Sequence, residues 1–260
     1  MNDELFTTIR TLGRLLDDLQ EVRIRTGNRI GALERQGFER LPHLASIADE
    51  LDRVEHQTVL ELCRAWRTHP LAEWALTYLG LGKKSIARLV AEIGHPRYAA
   101  LGHFEGEGQD RTYVIDGYRE RIVSQLWAYC GHGDPAYAGS IPAGATQAEL
   151  FKRGNPRAKM QVYLIATGML KAGNREAYDR DRMNHAVAVH AKPCKRCGPS
   201  GHPAAIGSPW SLAHQHASGL RVLGKQFLLD LWLAAEDLEA PIVSPVSTTL
   251  TAPPKLAEVM

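Results

Sequence analysis

The first quarter of the chain carries apolar residues at the spacing of an α-helix. They recur every three or four positions in two runs, whose members are Leu12, Leu15, Leu16 and Leu19, then Leu44, Ile47, Leu51, Val54, Val59 and Leu62. Gly37 and Pro42 interrupt the pattern between the runs, because neither residue favours a helix interior. The sequence therefore predicts two helices within residues 3–69, joined by a turn near residues 37–43.

These two helices have charged residues on their remaining faces, which leaves two interpretations open. An antiparallel coiled-coil arm would protrude and assemble the chain into a homo-oligomer. Alternatively, both helices fold back onto the core of a domain. Neither apolar run holds clean heptads for long enough to decide between these interpretations.

The segment from Leu76 to Pro96 has the pattern of a helix-hairpin-helix. Apolar residues lead into Gly80-Leu81-Gly82, two lysines follow, and a second apolar helical run begins at Ile86. Two glycines allow a tight turn whose backbone N–H groups face outward, and Lys83 and Lys84 add positive charge suited to a phosphate. An ordinary helix–helix corner with a solvated lysine pair is the plain alternative. We predict a nucleic-acid contact through Gly80, Gly82, Lys83 and Lys84.

The rest of the pattern also indicates helices rather than a strand ladder. The predicted segments are a loop-rich stretch over 98–117, a short helix over 118–130 that buries Ile122, Val123, Leu126 and Trp127, an irregular stretch over 131–148, and helices from Pro156, over 176–190 and over 211–239. We expect the helix after Pro156 to be strongly buried, because its apolar residues include Met160, Val162, Tyr163, Leu164, Ile165, Met169 and Leu170. The predicted fold class is mainly α.

Shifts in composition divide the chain into four predicted parts. Residues 1–70 form a helical arm, 71–175 a helix-hairpin-helix domain, 176–240 a Cys/His segment with a final helix, and 241–260 a disordered tail. The tail is predicted from its richness in Pro, Thr, Ser and Val, since such a composition does not build a core.

The charge of the chain is unevenly distributed, although its formal net value is only +2. Residues 1–149 hold 17 Lys/Arg against 21 Asp/Glu, whereas residues 150–229 hold 13 Lys/Arg against three acidic residues. Clustered cations of this kind are typical of proteins with a polyanionic partner, although a solvated basic surface has the same composition.

The sequence has no feature of a membrane or secreted protein. No stretch approaches the ~20 apolar residues that cross a bilayer, and the N-terminus lacks the basic start and apolar core of a signal peptide. Cys63 and Cys130 stand alone, so the four cysteines do not resemble a disulfide scaffold. We expect a cytoplasmic protein with no membrane partner.

A second basic site is predicted at the start of the helix that follows Gly154. Asn155 can cap this helix and Pro156 suits its first position, because proline has no N–H to leave unpaired. Free N–H groups at a helix start attract phosphate, and cationic side chains surround this one. An exposed, capped helix is the alternative. The residues predicted to bind nucleic acid here are Lys152, Arg153, Asn155, Arg157 and Lys159.

A metal site is predicted in the segment that follows residue 184. Cys194 and Cys197 form a Cys-x-x-Cys turn flanked by Pro and Gly, which places two thiolates on one tetrahedral zinc ion. His190 precedes the turn, and either His214 or His216 opens the next helix; residues two apart on a helix diverge, so only one of them can ligate. We predict structural zinc on His190, Cys194, Cys197 and His214, with His216 and His202 as substitutes. A reduced, metal-free thiol pair is the alternative.

Three features in the same order resemble the linker and C-terminal domain of DEDD-type insertion-sequence transposases. They are the helical arm ending at His69-Pro70, then LGLGKKSIARLVAEIGHPRY, then LWAYCGHGDPAYAGS followed by KRGNPRAKMQVYLIA. The resemblance covers roughly residues 15–172, and HQHASGLRVLGKQFLLDLW resembles C-terminal segments of some relatives. It implies a long helical linker followed by a domain that contains a helix-hairpin-helix.

The resemblance also implies a catalytic serine, which by position is Ser140 in AYAGSIPAG. In that family the serine acts in strand exchange, while four acidic residues of a preceding nuclease domain bind divalent metal. The sequence begins at the linker, which leaves two expectations open: the chain has kept the DNA-binding scaffold and lost the chemistry, or it needs a separate nuclease partner. A serine also needs an activating base or positioned cations, and the candidates are Arg153, Arg157 and His132.

These observations favour a DNA-binding protein of the transposase or recombinase type, with a role in transposition. Two alternatives stay open. The chain is either an active recombinase subunit that uses Ser140 with a partner nuclease, or an assembly protein that binds structured RNA on its basic face.

Overall fold

The chain is mainly helical, as predicted, in a computed structural model that describes residues 3–38, 42–106, 112–134, 143–199, 202–238 and 250–251. The helices are α1 (Asp3–Arg35), α2 (Pro42–Arg67), α3 (Ala72–Thr77), α4 (Lys83–Ile93), α5 (Val123–Tyr129), α6 (Gln147–Lys152), α7 (Pro156–Lys171), α8 (Glu176–Asn184) and α9 (Leu212–Ala234). The strands are β1 (Tyr98–Glu105), β2 (Thr112–Glu120) and β3 (Leu250–Thr251).

The chain divides into two compact units, and both are discontinuous in sequence. Unit 1 contains Met1–Ala72, Val90–Arg121 and Asp237–Met260, and unit 2 contains Glu73–Leu89 and Ile122–Glu236. The four consecutive parts predicted from composition stay a prediction.

Unit 1 is built on the two predicted N-terminal helices, α1 and α2. Their shared core contains Ile9, Leu16, Leu62 and Trp66, all of which are buried. Between the two helices, Glu55 is also buried, and it accepts hydrogen bonds from Gln20 and Arg23. Because a buried carboxylate is costly without a partner, this pairing fixes the register of α1 on α2.

The expected loop over residues 98–117 is wrong, because most of this stretch forms a β-hairpin in unit 1. Strands β1 and β2 pair antiparallel from Tyr98↔Glu120 to Glu105↔Thr112, with a bulge between Leu101 and Gly102. A Cβ atom at Gly102 would clash with the Val114 carbonyl, so the glycine permits close backbone approach and does not mark a loop. Strand β3 adds to β2 through Thr112↔Thr251 and Tyr113↔Leu250.

Helices α7 and α9 form the centre of unit 2 and run in the same direction. A Cβ atom at Gly224 would lie 2.8 Å from Val162, which puts the middle of α9 beside the first half of α7. Further along both helices, Asp230 of α9 accepts a hydrogen bond from Tyr78, and Gly168 of α7 contacts the neighbouring Gly80. Their buried side chains include Val162, Ile165, Met169, Leu223, Phe227, Leu228 and Leu231.

Helix α7 buries one face only, so the expected burial is wrong at three of the named apolar residues. Val162, Ile165 and Met169 are buried, whereas Met160, Tyr163 and Leu164 keep 55%, 50% and 45% of their surface exposed. The predicted helix over residues 118–130, with Ile122 buried, is also wrong in part. Strand β2 occupies the first part of that segment, and Ile122 is 63% exposed.

Helix α8 packs antiparallel on the first half of α9. Tyr178 fills the space beside Gly219 and its hydroxyl lies 2.7 Å from His216 Nδ1. At the other end of α8, the His185 ring stacks on Trp210, just before α9 begins. Within the described residues, no helix combines the length and the apolar character that crossing a bilayer requires.

Candidate metal centre and basic helix start

Two short backbone bridges hold the Cys-x-x-Cys turn between α8 and α9. Cys194 pairs with Ala204 through N–H···O bonds of 3.0 and 2.8 Å. His190 N–H donates to the Ser208 carbonyl at 2.9 Å, and the His190 carbonyl accepts from Gly207 at 2.8 Å. The backbone of His190 and Cys194 is therefore fixed by hydrogen bonds that do not involve their side chains.

The structure brings the four predicted ligands together. One ligand atom from each of His190, Cys194, Cys197 and His214 lies within 4.8 Å of all the others. His214 Nδ1 is 3.6 Å from Cys194 Sγ and 3.3 Å from Cys197 Sγ. In a tetrahedral zinc site with ordinary bond lengths, a sulfur and a nitrogen ligand lie roughly 3.6 Å apart. This group is therefore able to hold a metal ion.

His190 provides an independent test of whether a metal fits. Its side chain is only 4% exposed, and its Nε2 atom is buried with no hydrogen-bond partner among the described residues. An unsatisfied buried polar atom costs about 1–3 kcal/mol, and a metal bond would remove that cost. His69 and His132 also hold buried ring nitrogens with no partner among the described residues, so it is the three other ligand atoms beside His190 that single it out.

The protonation states of the site also suit a metal. Burial raises the pKa of the Cys197 thiol, but the Ser211 hydroxyl at 3.1 Å and the Ser211 N–H at 3.4 Å lower that pKa overall. Burial, followed by the charges of His190 and Arg196, lowers the pKa of His214. A thiol that ionises readily and a neutral imidazole are the forms that coordinate metals.

A stack of three rings supports the His214 ligand, and sequence reasoning missed it. The His185 and Trp210 rings lie 4.6 Å apart with planes at 4°, and the Trp210 and His214 rings lie 4.0 Å apart at 7°. His185 in turn contacts the Asp181 carbonyl through Nδ1 at 2.9 Å. The sequence did contain a signal, since His185 precedes the Cys-x-x-Cys turn and Trp210 follows it.

The predicted substitute ligands lie elsewhere. His216 is next to Tyr178, and His202 is exposed two residues before Ala204, the partner of Cys194. His214 is therefore the histidine at the start of α9 that the structure offers to a metal.

The start of α7 is capped as predicted, but the cap occupies the N–H groups that were expected to bind phosphate. Asn155 Oδ1 accepts hydrogen bonds from the N–H groups of Arg157 at 2.8 Å and Ala158 at 3.1 Å. Pro156 has no N–H, and the next N–H, of Lys159, donates to the Asn155 carbonyl. The expectation that the first N–H groups are free is therefore wrong, and any phosphate contact here depends on side chains.

The α5–α7 junction explains why glycine stands at position 154. Gly154 has φ +73°, and a Cβ atom there would lie 2.5 Å from the Tyr129 carbonyl oxygen. Asn155 N–H donates to that same carbonyl at 2.6 Å, and Asn155 Nδ2 donates to the Tyr129 hydroxyl at 3.0 Å. The start of α7 is thus tied to the end of α5.

Cations from three segments of unit 2 gather near the start of α7. Burial lowers the pKa of Lys159, and the charges of Arg221, Arg153 and Arg196 lower it further. Arg221 donates to the Gly133 carbonyl at 2.6 Å, and Lys225 lies 4.3 Å above the Trp127 ring. We call Arg153, Lys159, Arg196 and Arg221 the cationic cluster.

Sequence reasoning placed only half of the cationic cluster near the start of α7. Arg153 and Lys159 were predicted there, whereas Arg196 and Arg221 come from the Cys-x-x-Cys turn and from α9. For Arg221, the missed signal was its spacing on α9, because it follows His214 by seven residues and therefore shares its face of the helix.

The turn of the predicted helix-hairpin-helix lies at the far end of α7 from the cationic cluster. Gly80 has φ +85°, and a Cβ atom there would lie 2.6 Å from Met169 Cα and 2.7 Å from the Gly168 carbonyl oxygen. Gly80 therefore serves packing. Lys83 and Lys84 are exposed in the first turn of α4, which the Gly82 carbonyl begins. Gly168 lies twelve residues after Pro156, so the two predicted nucleic-acid sites are about 18 Å apart along α7.

Ser140 and the predicted tail, apart from residues 250–251, lie outside the described residues. The catalytic role of Ser140 accordingly stays a prediction. Comparison of the chain with protein-family models, with curated proteins and with solved structures found no match in any of the three.

Proposed function

We propose that this chain is a nucleic-acid-binding protein of the transposase or recombinase type, which holds the phosphate backbone of DNA on the basic surface of unit 2. The cationic cluster is the observation that carries the proposal. Clustered Lys and Arg side chains attract the phosphates of a polyanion, and their binding releases its counterions. Burial is the largest cause of the lowered pKa of Lys159, and the charges of Arg221, Arg153 and Arg196 lower it further.

The resemblance of the hairpin and of the KRGN segment to transposase sequences supports the choice of DNA as the partner. Backbone contacts by Lys and Arg fix a duplex in place but do not read its sequence. The surface proposed here therefore binds DNA with strong salt dependence and modest sequence preference.

We also propose that the metal is zinc and that its role is structural. Two thiolates and two imidazoles are a common zinc ligand set, and four protein ligands leave no open position for catalysis. Bound zinc would tie the Cys-x-x-Cys turn to the first turn of α9. Elemental analysis of the purified protein should give one zinc per chain. The zinc proposal fails if stoichiometric metal is absent and a chelator leaves the thermal unfolding midpoint unchanged.

Binding to a short random-sequence duplex, measured by fluorescence anisotropy across a salt series, tests the DNA proposal. The double variant Lys152→Glu/Arg157→Glu reverses two charges at the start of α7. We expect it to weaken binding at least about tenfold and to reduce the salt slope by about two.

The control Arg64→Glu/Arg67→Glu makes the same charge change at the end of α2 in unit 1 and should have a much smaller effect. If the two double variants weaken binding equally, the binding depends on overall charge alone and the proposal is overturned. The double variant Lys83→Glu/Lys84→Glu tests the helix-hairpin-helix separately in the same assay. An unchanged affinity and salt slope would show that the helix-hairpin-helix is not part of the interface.

A further inference from the structure

Helix α7 carries an apolar stripe on the face that it turns away from the core of unit 2. Met160, Tyr163 and Leu164 are exposed, although Val162 and Ile165 beside them in sequence are buried. Their spacing of three and four residues makes them neighbours on one face of the helix. We call these three residues the outer stripe. Exposed apolar residues scattered singly are ordinary, whereas a contiguous apolar group marks an interaction surface.

The outer stripe is bounded by a cation at each end. Arg157, Met160, Leu164 and Lys171 are spaced by three, four and seven residues, so they lie along the same side of α7. Arg157 is in the first turn of the helix, and Lys171 is its last residue and is exposed. The separation of the two cations corresponds to about 21 Å along the helix axis.

The chain around the outer stripe carries positive charge only. Residues 150–175 hold six Lys/Arg and no Asp/Glu. The acidic residue before this segment, Glu149, belongs to the cap of α6, where its carboxylate accepts hydrogen bonds from the Thr146 N–H at 2.8 Å and from the Thr146 hydroxyl at 3.0 Å. The acidic residue after it, Glu176 of α8, lies 3.3 Å from Arg180. An apolar surface set among cations is complementary to a partner that combines apolar groups with negative charge.

The major groove of duplex DNA is a partner of this kind. The groove is about 12 Å wide and admits an α-helix, and its floor presents base edges that include the thymine methyl group. Phosphates line both of its sides. A helix with cations about 21 Å apart is long enough to reach both phosphate rows while its middle contacts the bases. An apolar protein surface would match the outer stripe but not the cations at its two ends.

We infer that α7 lies in the major groove of duplex DNA, with the outer stripe against the base edges and with Arg157 and Lys171 at the phosphates of the two strands. The inference rests on the proposed function, because it names how unit 2 holds DNA. It goes beyond that function, because the contact that it adds is apolar and is made to bases. The outer stripe extends about 6 Å along the axis, or roughly two base-pair steps, so it gives only a modest sequence preference.

Two matched double variants test the contact. Met160→Ala/Leu164→Ala truncates the outer stripe, and Met183→Ala/Leu233→Ala makes the same change at exposed residues of α8 and α9. We expect the first to weaken binding to a random-sequence duplex about 5–10-fold with an unchanged salt slope, because apolar contacts release no counterions. The control should bind like the wild type. All four positions are exposed and alanine favours helices, so thermal unfolding should show that both variants are folded.

A duplex with a filled major groove tests the same contact with the wild-type protein. Glucosylated 5-hydroxymethylcytosine places an uncharged sugar in the major groove, where the C5 position of a pyrimidine lies, and leaves the phosphates unchanged. The wild type should bind this duplex at least about tenfold more weakly than the same sequence with ordinary cytosine, because the helix can no longer enter the groove. Binding through phosphates alone would be equal for the two duplexes.

The outcomes distinguish the inference from the proposed function. If the wild type does not bind ordinary duplex DNA, the proposed function fails and the inference falls with it. If the wild type binds but the two double variants have equal affinities, the inference alone is overturned. Equal binding of the wild type to the two duplexes also overturns the inference, and it leaves the phosphate contacts of the proposed function in place.

Discussion

The Trp210 indole lies parallel to the His214 imidazole, with ring centroids 4.0 Å apart and planes at 7°. The other neighbour in this stack is His185, at 4.6 Å from Trp210. The backbone of Trp210 is itself anchored, because its backbone N–H donates to the Ala188 carbonyl at 2.9 Å. The stack thus connects the end of α8 to the ligand on α9 and fixes the orientation in which His214 Nδ1 faces the two thiols.

Replacing Trp210 by Ala should weaken zinc binding by about 10–100-fold, since groups that orient a ligand usually contribute that much. Competition with a metal-binding dye measures the effect. His216→Ala is the control, because it removes a nearby histidine that contacts Tyr178 and not the ligands. Equal zinc affinity in the wild type and Trp210→Ala would show that the stack does not position His214.

Removal of zinc should destabilise unit 2. At a free zinc concentration a thousandfold above its Kd, binding stabilises the folded chain by about 4 kcal/mol. Cys197→Ser should lose most of this stabilisation, and adding a chelator to that variant should change little more. Cys63→Ser on α2 is the control, and its thermal unfolding should keep the full response to the chelator.

Gly80→Ala should lower the free energy of unfolding by about 2–4 kcal/mol, because it forces a left-handed φ and a collision with the α7 backbone. Gly82→Ala is the matched control two residues away. Its Cβ atom would meet only Ser85 Oγ at 3.9 Å, so we expect a cost below about 1 kcal/mol. Denaturant unfolding of both variants measures the difference, and similar costs would contradict the packing role of Gly80.

His132 should make unit 2 sensitive to acid. Burial and then the charges of Arg221, Lys159 and Lys225 lower the pKa of His132 from 6.5 to about 4. Between these two values the unfolded chain binds a proton that the folded chain does not, so stability is full above pH 6.5 and is lost as the pH falls toward 4. The loss attributable to this group is about 3 kcal/mol.

The His132→Gln variant isolates this contribution. Its unfolding free energy should fall less steeply than that of the wild type over the acidic range, and metal release affects both proteins alike. His103→Gln on the β-hairpin provides a contrast of opposite sign. Hydrogen bonds with Asp116 and Glu105 raise the pKa of His103, so its small contribution is present at low pH and is lost as the pH rises through that raised pKa. Parallel pH profiles for wild type and His132→Gln would contradict the assignment.

The ligand group was predictable because its chemistry is local. The Cys-x-x-Cys spacing fixes two ligands, and of the two histidines that bracket it, His190 lies in the same connection and His214 in the first turn of the next helix. The choice of His214 over His216 needed the structure, because both positions suit the first turns of a helix. The Trp210 stack and the cationic cluster depend on how α7, α8 and α9 pack, and no short pattern encodes that packing.

The helices were also predictable from local pattern, whereas the β-hairpin was not. The periods of α1 and α2 repeat over many residues, whereas β1 and β2 hold glycines at 102 and 117 that suggested a loop. At Gly102 the glycine is required by the approach of the two strands at a bulge. Composition alone cannot separate a glycine that ends an element from one that lets two backbones touch.

The hydrogen bond between Tyr78 and Asp230 joins residues 152 positions apart, and both lie in unit 2. Synthesis on the ribosome delivers Tyr78 long before α9 emerges, while α1 and α2 can meet as soon as both are released. Unit 2 therefore cannot close until nearly the whole chain has been made. A nonsense mutation upstream of α9 would leave Tyr78 and the inner face of α7 without their packing partner, which makes α9 the element that commits a newly made chain to its final structure.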